Sequence, residues 1–144
     1  MDLVYLAQTD TTVGFLSQDA QKLASIKKRP ANKPFIKSFD SLKTFSEMGG
    51  RVPNRHKSRL RRSKSTSYVI NNSAIRIVPN GQHHQLLSKY GWLYSTSANE
   101  KGKSFEISFA EQSVDIILED ARGLYEGEAS FIYKLTHKKI KRLR

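Results

Sequence analysis

The chain has 144 residues, 38% of them apolar, and a formal net charge of +12, a length that suits one domain over residues 1–144 around a single core. Its lack of cysteine excludes disulfides, a thiolate nucleophile and a cysteine zinc site. No apolar run reaches the roughly 18 residues of a membrane span, so no membrane-spanning helix is expected; the start, MDLVYLAQTD, carries an acid and neither a basic stretch nor a cleavage site, so it does not read as a signal peptide, and a cytoplasmic protein is expected.

Residues 2–7, DLVYLA, read as a strand, and QTDTTVG as a polar turn ending in Gly14. A short helix is predicted over 18–28, with Ser17 as its N-cap, Leu23 and Ile26 among its apolar positions, and Pro30 as its stop. PFIKS is a brief strand; Ser38 then caps a second helix running to Met48, with Phe39, Leu42 and Phe45 at helical spacing and Gly49-Gly50 behind it. Residues 51–65, RVPNRHKSRLRRSKS, have almost no apolar content and read as a loop that is mobile without ligand. TSYVINN and AIRIV alternate as paired strands joined around Asn71-Asn72-Ser73. A short helix over 82–90 and the strand GWLYST follow, then helical spacing over 109–119, then ASFIYKLT and KKIKRLR as closing strands. Strands mixed with short helices predict one α/β layer structure, a single-domain twisted mixed sheet with flanking helices.

The charge is unevenly placed. Residues 27–64 hold 13 Lys or Arg against Asp40 and Glu47, and residues 134–144 hold six with no acid. Clustered cations point to a polyanionic partner; a solvated basic face kept for solubility is the plainer alternative. Lys27 and Arg29, beside Pro30, make a stiff cation pair suited to a triphosphate, although cations at a helix C-terminus also complement its dipole. STSAN, residues 95–99, is a run of small residues in which only Ala98 lacks a hydrogen-bonding side chain. Ser97 and Asn99 alternate at a strand end, where hydroxyl and amide suit phosphate oxygens or a base, or simply an ordinary Ser/Asn turn. Thr9, Asp10 and Thr11 follow a strand, where ligands of α/β sheets tend to bind. His56, His83 and His84 fit no common metal-ligand spacing, and no metal site is expected.

In chain order, TDT after a strand, K-x-R-P with K-P three residues on, AIRIV, and a strand ending in TSAN make a sequence that resembles the YrdC-like family, from Leu3 to Arg144. The family pattern runs P-T-D-T-x-Y-G-L, K-x-R-P-x-x-K-P-L, P-G-P-x-T, V-A-V-R-x-P, S-A-N and a late S-T. The resemblance implies a twisted sheet around a basic cavity and an L-threonylcarbamoyladenylate synthase: a nucleotidyltransferase that condenses L-threonine, bicarbonate and ATP and releases pyrophosphate. Its product serves tRNA threonylcarbamoyladenosine modification through downstream transfer proteins. The resemblance also implies binding of tRNA or double-stranded RNA, and a non-catalytic RNA-binding module on the same fold is the alternative.

Carried over motif by motif, the resemblance implies that Lys27, Arg29, Thr66, Ser97, Asn99 and Arg144 hold ATP, and that Thr11, Arg76 and Ser130 contact threonine, Arg76 through its carboxylate. Magnesium would be held mainly by the phosphates, since no acidic cluster is visible. Gln8 stands for the family proline, Val13 for its tyrosine, Arg62 to Ser65 for P-G-P-x, and Phe131 for the late threonine. The basic loop, lying between K-x-R-P and Thr66, is expected beside the cavity. There it would close over ATP and reach RNA through Arg55, Arg59, Arg61, Arg62 and Lys64, or else be a solvated linker.

Overall fold

The computed structural model describes residues 3–30 and 32–144, so Asp2 of the first expected strand lies outside the described residues. In chain order the elements are β1 (Tyr5–Gln8), β2 (Val13–Ser17), α1 (Ala20–Lys27), β3 (Ile36–Phe39), α2 (Leu42–Glu47), α3 (Asn54–Arg61), β4 (Thr66–Ile70), β5 (Ser73–Ile77), α4 (Gly81–Tyr90), β6 (Trp92–Ser97), α5 (Ile107–Ser113), β7 (Ile116–Leu118), β8 (Phe131–Leu135) and β9 (Ile140–Arg142). The strands form one mixed sheet in the order β7-β1-β2-β6-β3-β5-β4-β8-β9. The α/β class and the mixed sheet are those expected.

Strand register divides the molecule into two faces, because successive side chains of a strand point to opposite sides. Gly14 pairs with Ser97, Ile36 with Ser95, Ser38 with Arg76, and Ser67 with Ile132, so these side chains share one face. Phe15, Lys37, Ile75, Tyr68 and Tyr133 belong to the other by the same pairings. On that other face α1 and α5 bury Leu23, Ala24 and Ala110 with Leu6, Val13 and Phe15, while α2 and α3 bury Leu42, Phe45 and Leu60 with Tyr68, Ile75 and Ile77. Among the described residues only α4 packs on the first face, setting Leu87 against Tyr5, Ala7, Leu16 and Leu93. The rest of that face is left uncovered by helix.

Several expectations are corrected. Val13–Ser17 is a strand and not the tail of a turn; every residue in it is buried, so it carries no polar alternation to read. Ser17 ends β2, and its hydroxyl accepts the Asp19 N–H; Asp19 is the cap of α1, accepting from the N–H groups of Gln21 and Lys22. Ser38 is fully buried in β3, and Ser41 caps α2 by accepting the Thr44 N–H. Residues 54–61 are helical, because Val52, His56 and Leu60 recur every four residues and are buried among cations that hide the pattern. The helix expected over 109–119 stops at Ser113; Asp115 turns back so that its carboxylate accepts the Val4 N–H, and Ile116–Leu118 pairs parallel with β1. The β4–β5 turn is as expected: Asn71 and Asn72 both take positive φ, 50° and 66°, as a two-residue hairpin requires.

Candidate functional site

The uncovered face holds a cleft of about 420 Å³. Its floor is Gly14, Ser95, Ser97, Ile36, Ala74, Arg76 and Ile132, and its walls are the loop 9–12, the end of α1 with the segment that follows it, and the Ser130 and Arg144 side chains. Gly14 keeps this floor low: a Cβ there would press on the Thr96 carbonyl oxygen at 3.1 Å and the Thr9 methyl at 3.2 Å, so those neighbours would have to give by a few tenths of an ångström.

Lys27 and Arg29 reach the same cleft because Lys28 takes a left-handed conformation (φ 50°) that ends α1 and reverses the chain. The Lys27 ammonium donates to the Ser97 carbonyl (2.9 Å), the Asn99 carbonyl (2.6 Å) and the Asn99 side-chain oxygen (3.1 Å). That arrangement explains the run of small residues in STSAN: two carbonyls must converge on one cation while Ala98, 1% exposed, packs into the core and donates its N–H to the Val13 carbonyl. Burial, and then the charge of Arg29, lower the Lys27 pKa to about 8. Arg29 donates to the Pro34 carbonyl (2.9 Å) and lies over the Phe35 ring, 4.3 Å from its centroid.

A second set of groups joins the two ends of the cleft. Arg76 Nη1 donates to Asp10 (3.0 Å) and Thr11 (3.4 Å), and its Nε to Ser67 (3.1 Å). The Ser67 and Ser130 hydroxyls are bonded at 3.0 Å, and Arg144 donates from Nε to the Ser130 carbonyl and from Nη2 to its hydroxyl. Behind Asp10 lies His83, whose Nδ1 is 3.1 Å from the carboxylate. Burial pushes the Asp10 pKa up, but the His83 hydrogen bond and the Arg76 charge outweigh it and hold the pKa below the usual carboxylate value. Burial lowers the His83 pKa, against the opposing pull of the Asp10 hydrogen bond and charge.

Of the expected ligand residues, Lys27, Arg29, Ser97, Arg144, Thr11, Arg76 and Ser130 line the cleft together. Asn99 stands one layer behind, holding Lys27. Thr66 does not join them: it shares the face of Tyr68, and its hydroxyl donates to the Lys64 carbonyl. The end of the basic segment meets a cleft wall, where the Ser65 hydroxyl donates to the Asp10 carbonyl at 3.3 Å, but its cations do not line the cleft. Arg55, Arg59, Arg62 and Lys64 line a separate cavity on the helix-covered face, and Arg61 is exposed outside both. The register also puts Val13 and Phe131 on that face, so these two departures from the family pattern take no side chain out of the cleft.

Sequence reading missed the support of the loop 9–12. Arg122, paired with Asp120, donates to the carbonyls of Gln8 and Thr9, and the Gln8 side-chain oxygen accepts the Tyr125 N–H. Gly127 donates its N–H to Thr12, and a Cβ on it would overlap the Thr11 carbonyl oxygen. These contacts span more than 100 residues of sequence and leave no local signal. Among the described residues no group of three or more His, Asp or Glu is placed to hold a metal, and His56, His83 and His84 bond separately to Thr136, Asp10 and Val78. Among them also, no helix is long and apolar enough to cross a membrane.

The Sua5/YciO/YrdC family model, described as telomere recombination, matches residues 4–144. No curated protein matches the chain. Among solved structures, P. abyssi Sua5 complexed with L-threonine is similar at TM-score 0.77 and 18% identity, over 99% of this chain and 50% of that one. E. coli YciO is similar at TM-score 0.73 and 16% identity, over 99% and 82%. Full-length HypF in its phosphate- and nucleotide-bound form is similar at 0.73 and 13%, over 99% and 26%. The chain therefore spans about half the length of the Sua5 chain it resembles.

Proposed function

The chain belongs to the Sua5/YciO/YrdC family, and on that premise we propose that its cleft is the site of an L-threonylcarbamoyladenylate synthase, acting in the cytoplasm for tRNA threonylcarbamoyladenosine modification. The observation that carries this reading is the convergence of Lys27, Arg29, Arg76 and Arg144 on one cleft whose nearest carboxylate, Asp10, is already bonded to Arg76 and His83. A site with four cations and hydroxyls at Thr11, Ser97 and Ser130 suits an anionic ligand of several charges. Arg76 and Arg144 are each held by two of their nitrogens, which leaves Arg76 Nη2 and Arg144 Nη1 without a hydrogen bond among the described residues. One of those groups suits the threonine carboxylate and the other a phosphate.

In this reaction the threonine amine and bicarbonate form a carbamate with loss of water. A carbamate oxygen then attacks the α-phosphorus of ATP, and the bond to pyrophosphate breaks. No covalent protein nucleophile is required, so positioning and charge stabilisation do most of the work. Lys27, held from behind by Asn99, and Arg29 meet the phosphates, Ser97 the nucleotide, and Thr11, Arg76 and Ser130 the amino acid. Magnesium would arrive on the phosphates and lower the charge of the leaving pyrophosphate. Support also comes from a family relative crystallised with L-threonine.

The test is pyrophosphate release by the purified chain, with the adenylate identified by mass spectrometry. The reading expects release only when ATP, L-threonine and bicarbonate are all present, and at least a tenfold loss in Arg29→Ala. Release that ignores threonine, or no adenylate at any enzyme concentration, overturns it.

A further inference from the structure

The helix on the cleft face, α4, sends His83 toward the charged groups of the cleft. It is seated against the end of β5 by His84, whose Nδ1 is 2.7 Å from the Val78 carbonyl oxygen. That places His83, 2% exposed, against Asp10. Its Nδ1 is 3.1 Å from Asp10 Oδ1 and 3.3 Å from the Asp10 backbone nitrogen, and a neutral ring can make only one of these two bonds. A proton on Nδ1 is donated to the carboxylate. A proton on Nε2 would be a buried donor with nothing to meet, since Nε2 has no partner among the described residues. The Nδ1–H form is therefore the stable one. Oδ1 of Asp10 also accepts from Arg76 Nη1, at 3.0 Å. Arg76 is 5% exposed and lines the cleft, and its Nη2 has no hydrogen bond among the described residues.

On the reading above that Arg76 meets the threonine carboxylate, we propose that His83 is a positioning residue. It holds Asp10 in a single-bond contact with Arg76, and so keeps Arg76 Nη2 free for the carboxylate of the amino acid. An arginine and a carboxylate left to themselves often pair through two parallel bonds. Nε of Arg76 is already held by Ser67, so the fork left to Asp10 is Nη1 with Nη2. Asp10 Oδ2 has no hydrogen bond among the described residues, and a carboxylate free to rotate would bring it to Nη2 and close the ligand's place. The backbone of Asp10 is pinned independently, Ser65 donating to its carbonyl at 3.3 Å, so the side chain is what remains for His83 to set. The His83 N–H also offsets part of the Asp10 charge, so that Arg76 keeps more of its own for the ligand. α4 thus serves the cleft as well as covering part of its face.

The test compares His83→Asn, whose amide nitrogen takes the place of Nδ1, with His83→Gln, whose amide nitrogen falls nearer the place of Nε2. Calorimetry measures L-threonine and ATP separately on each purified chain. The expected loss of threonine affinity is about tenfold or more in His83→Gln, the size of one charge-assisted hydrogen bond, and under about threefold in His83→Asn. ATP affinity should change by less than about threefold in both, its contacts being elsewhere in the cleft. A residue that acts through Asp10 adds nothing once Asp10 is changed, so His83→Gln combined with Asp10→Asn should match Asp10→Asn alone within about twofold. A double variant that loses clearly more overturns the proposal. So do equal losses in the Asn and Gln variants, or threonine and ATP affinities that fall together with the melting temperature, either of which would reduce His83 to packing. Proton–nitrogen correlation spectra give a reading that needs no ligand. The His83 ring should carry its proton on Nδ1, and the Arg76 Nη2 protons, open to water in the unsubstituted chain, should become protected from exchange in His83→Gln. A proton on Nε2, or the same Nη2 exchange in both proteins, overturns the proposal. A chain that binds no threonine while its spectra behave as expected sinks the amino-acid reading of the cleft and leaves the hold of His83 on Arg76 standing.

Discussion

Lys27 has three donors and three protein acceptors, so a phosphate must displace a bond that already exists. The displacement is favoured because the free cleft holds this ammonium poorly: burial and the Arg29 charge bring its pKa down to about 8. A polyanion beside it favours the charged form and raises that pKa. The sign follows. With its pKa at about 8, part of the free chains carries a neutral Lys27 at mildly alkaline pH, so binding of ATP there takes up a fraction of a proton, and affinity falls as the pH rises above 8. Calorimetry at pH 8 in buffers of different ionisation heat reads that uptake directly, and Lys27→Met should abolish it. A Lys27 that only staples the STSAN turn predicts no uptake in either protein.

At the scale of the element, α3 decides how the basic segment is understood. A mobile loop tolerates any change at Leu60. A helix docked through Leu60, fully buried among Phe45, Val52, Tyr68 and Leu135, does not. Leu60→Ala should cost about 2–5 kcal/mol, the range for a buried leucine replaced by alanine, and urea unfolding measures it. A change within ~0.5 kcal/mol, typical of a surface site, would contradict the docked helix. The helix was hidden in the sequence because its eight residues carry one leucine, and its second buried position, His56, bonds the Thr136 carbonyl far along the chain.

For the whole molecule the balance of charge sets two opposing salt effects. The free chain, at +12, repels itself, and four of its cations face one another across the cleft. Added salt should therefore raise the melting temperature of the free protein. ATP should raise it too, by the linkage of binding to folding: at a hundred times its Kd, about 2.7 kcal/mol, or roughly 10 °C for a chain of this size. That increment should shrink with salt, because the contacts behind it are between charges. Thermal scans across a salt series check both slopes. Increments that do not fall with salt would mean that ATP is held without the cleft cations.

The sequence by itself determined the family pattern, the α/β class, the hairpin at Asn71-Asn72 and seven residues that meet in the cleft, Lys27, Arg29, Ser97, Arg144, Thr11, Arg76 and Ser130. Six of them were legible because each sits at a short family motif, and Arg144 because the family resemblance places a last arginine at its spacing from Ser130. Tertiary structure alone decided the face on which each group lies. Thr66 and the α3 arginines belong to the opposite side of the sheet because strand parity and the docking of Leu60 put them there, and neither can be counted without knowing which strands pair. It also decided that Asp10 and His83 stand behind Arg76, and that Arg122 and Gly127 hold the loop 9–12. Those contacts join residues 66 to 115 positions apart, and only the closing of the sheet brings them within reach.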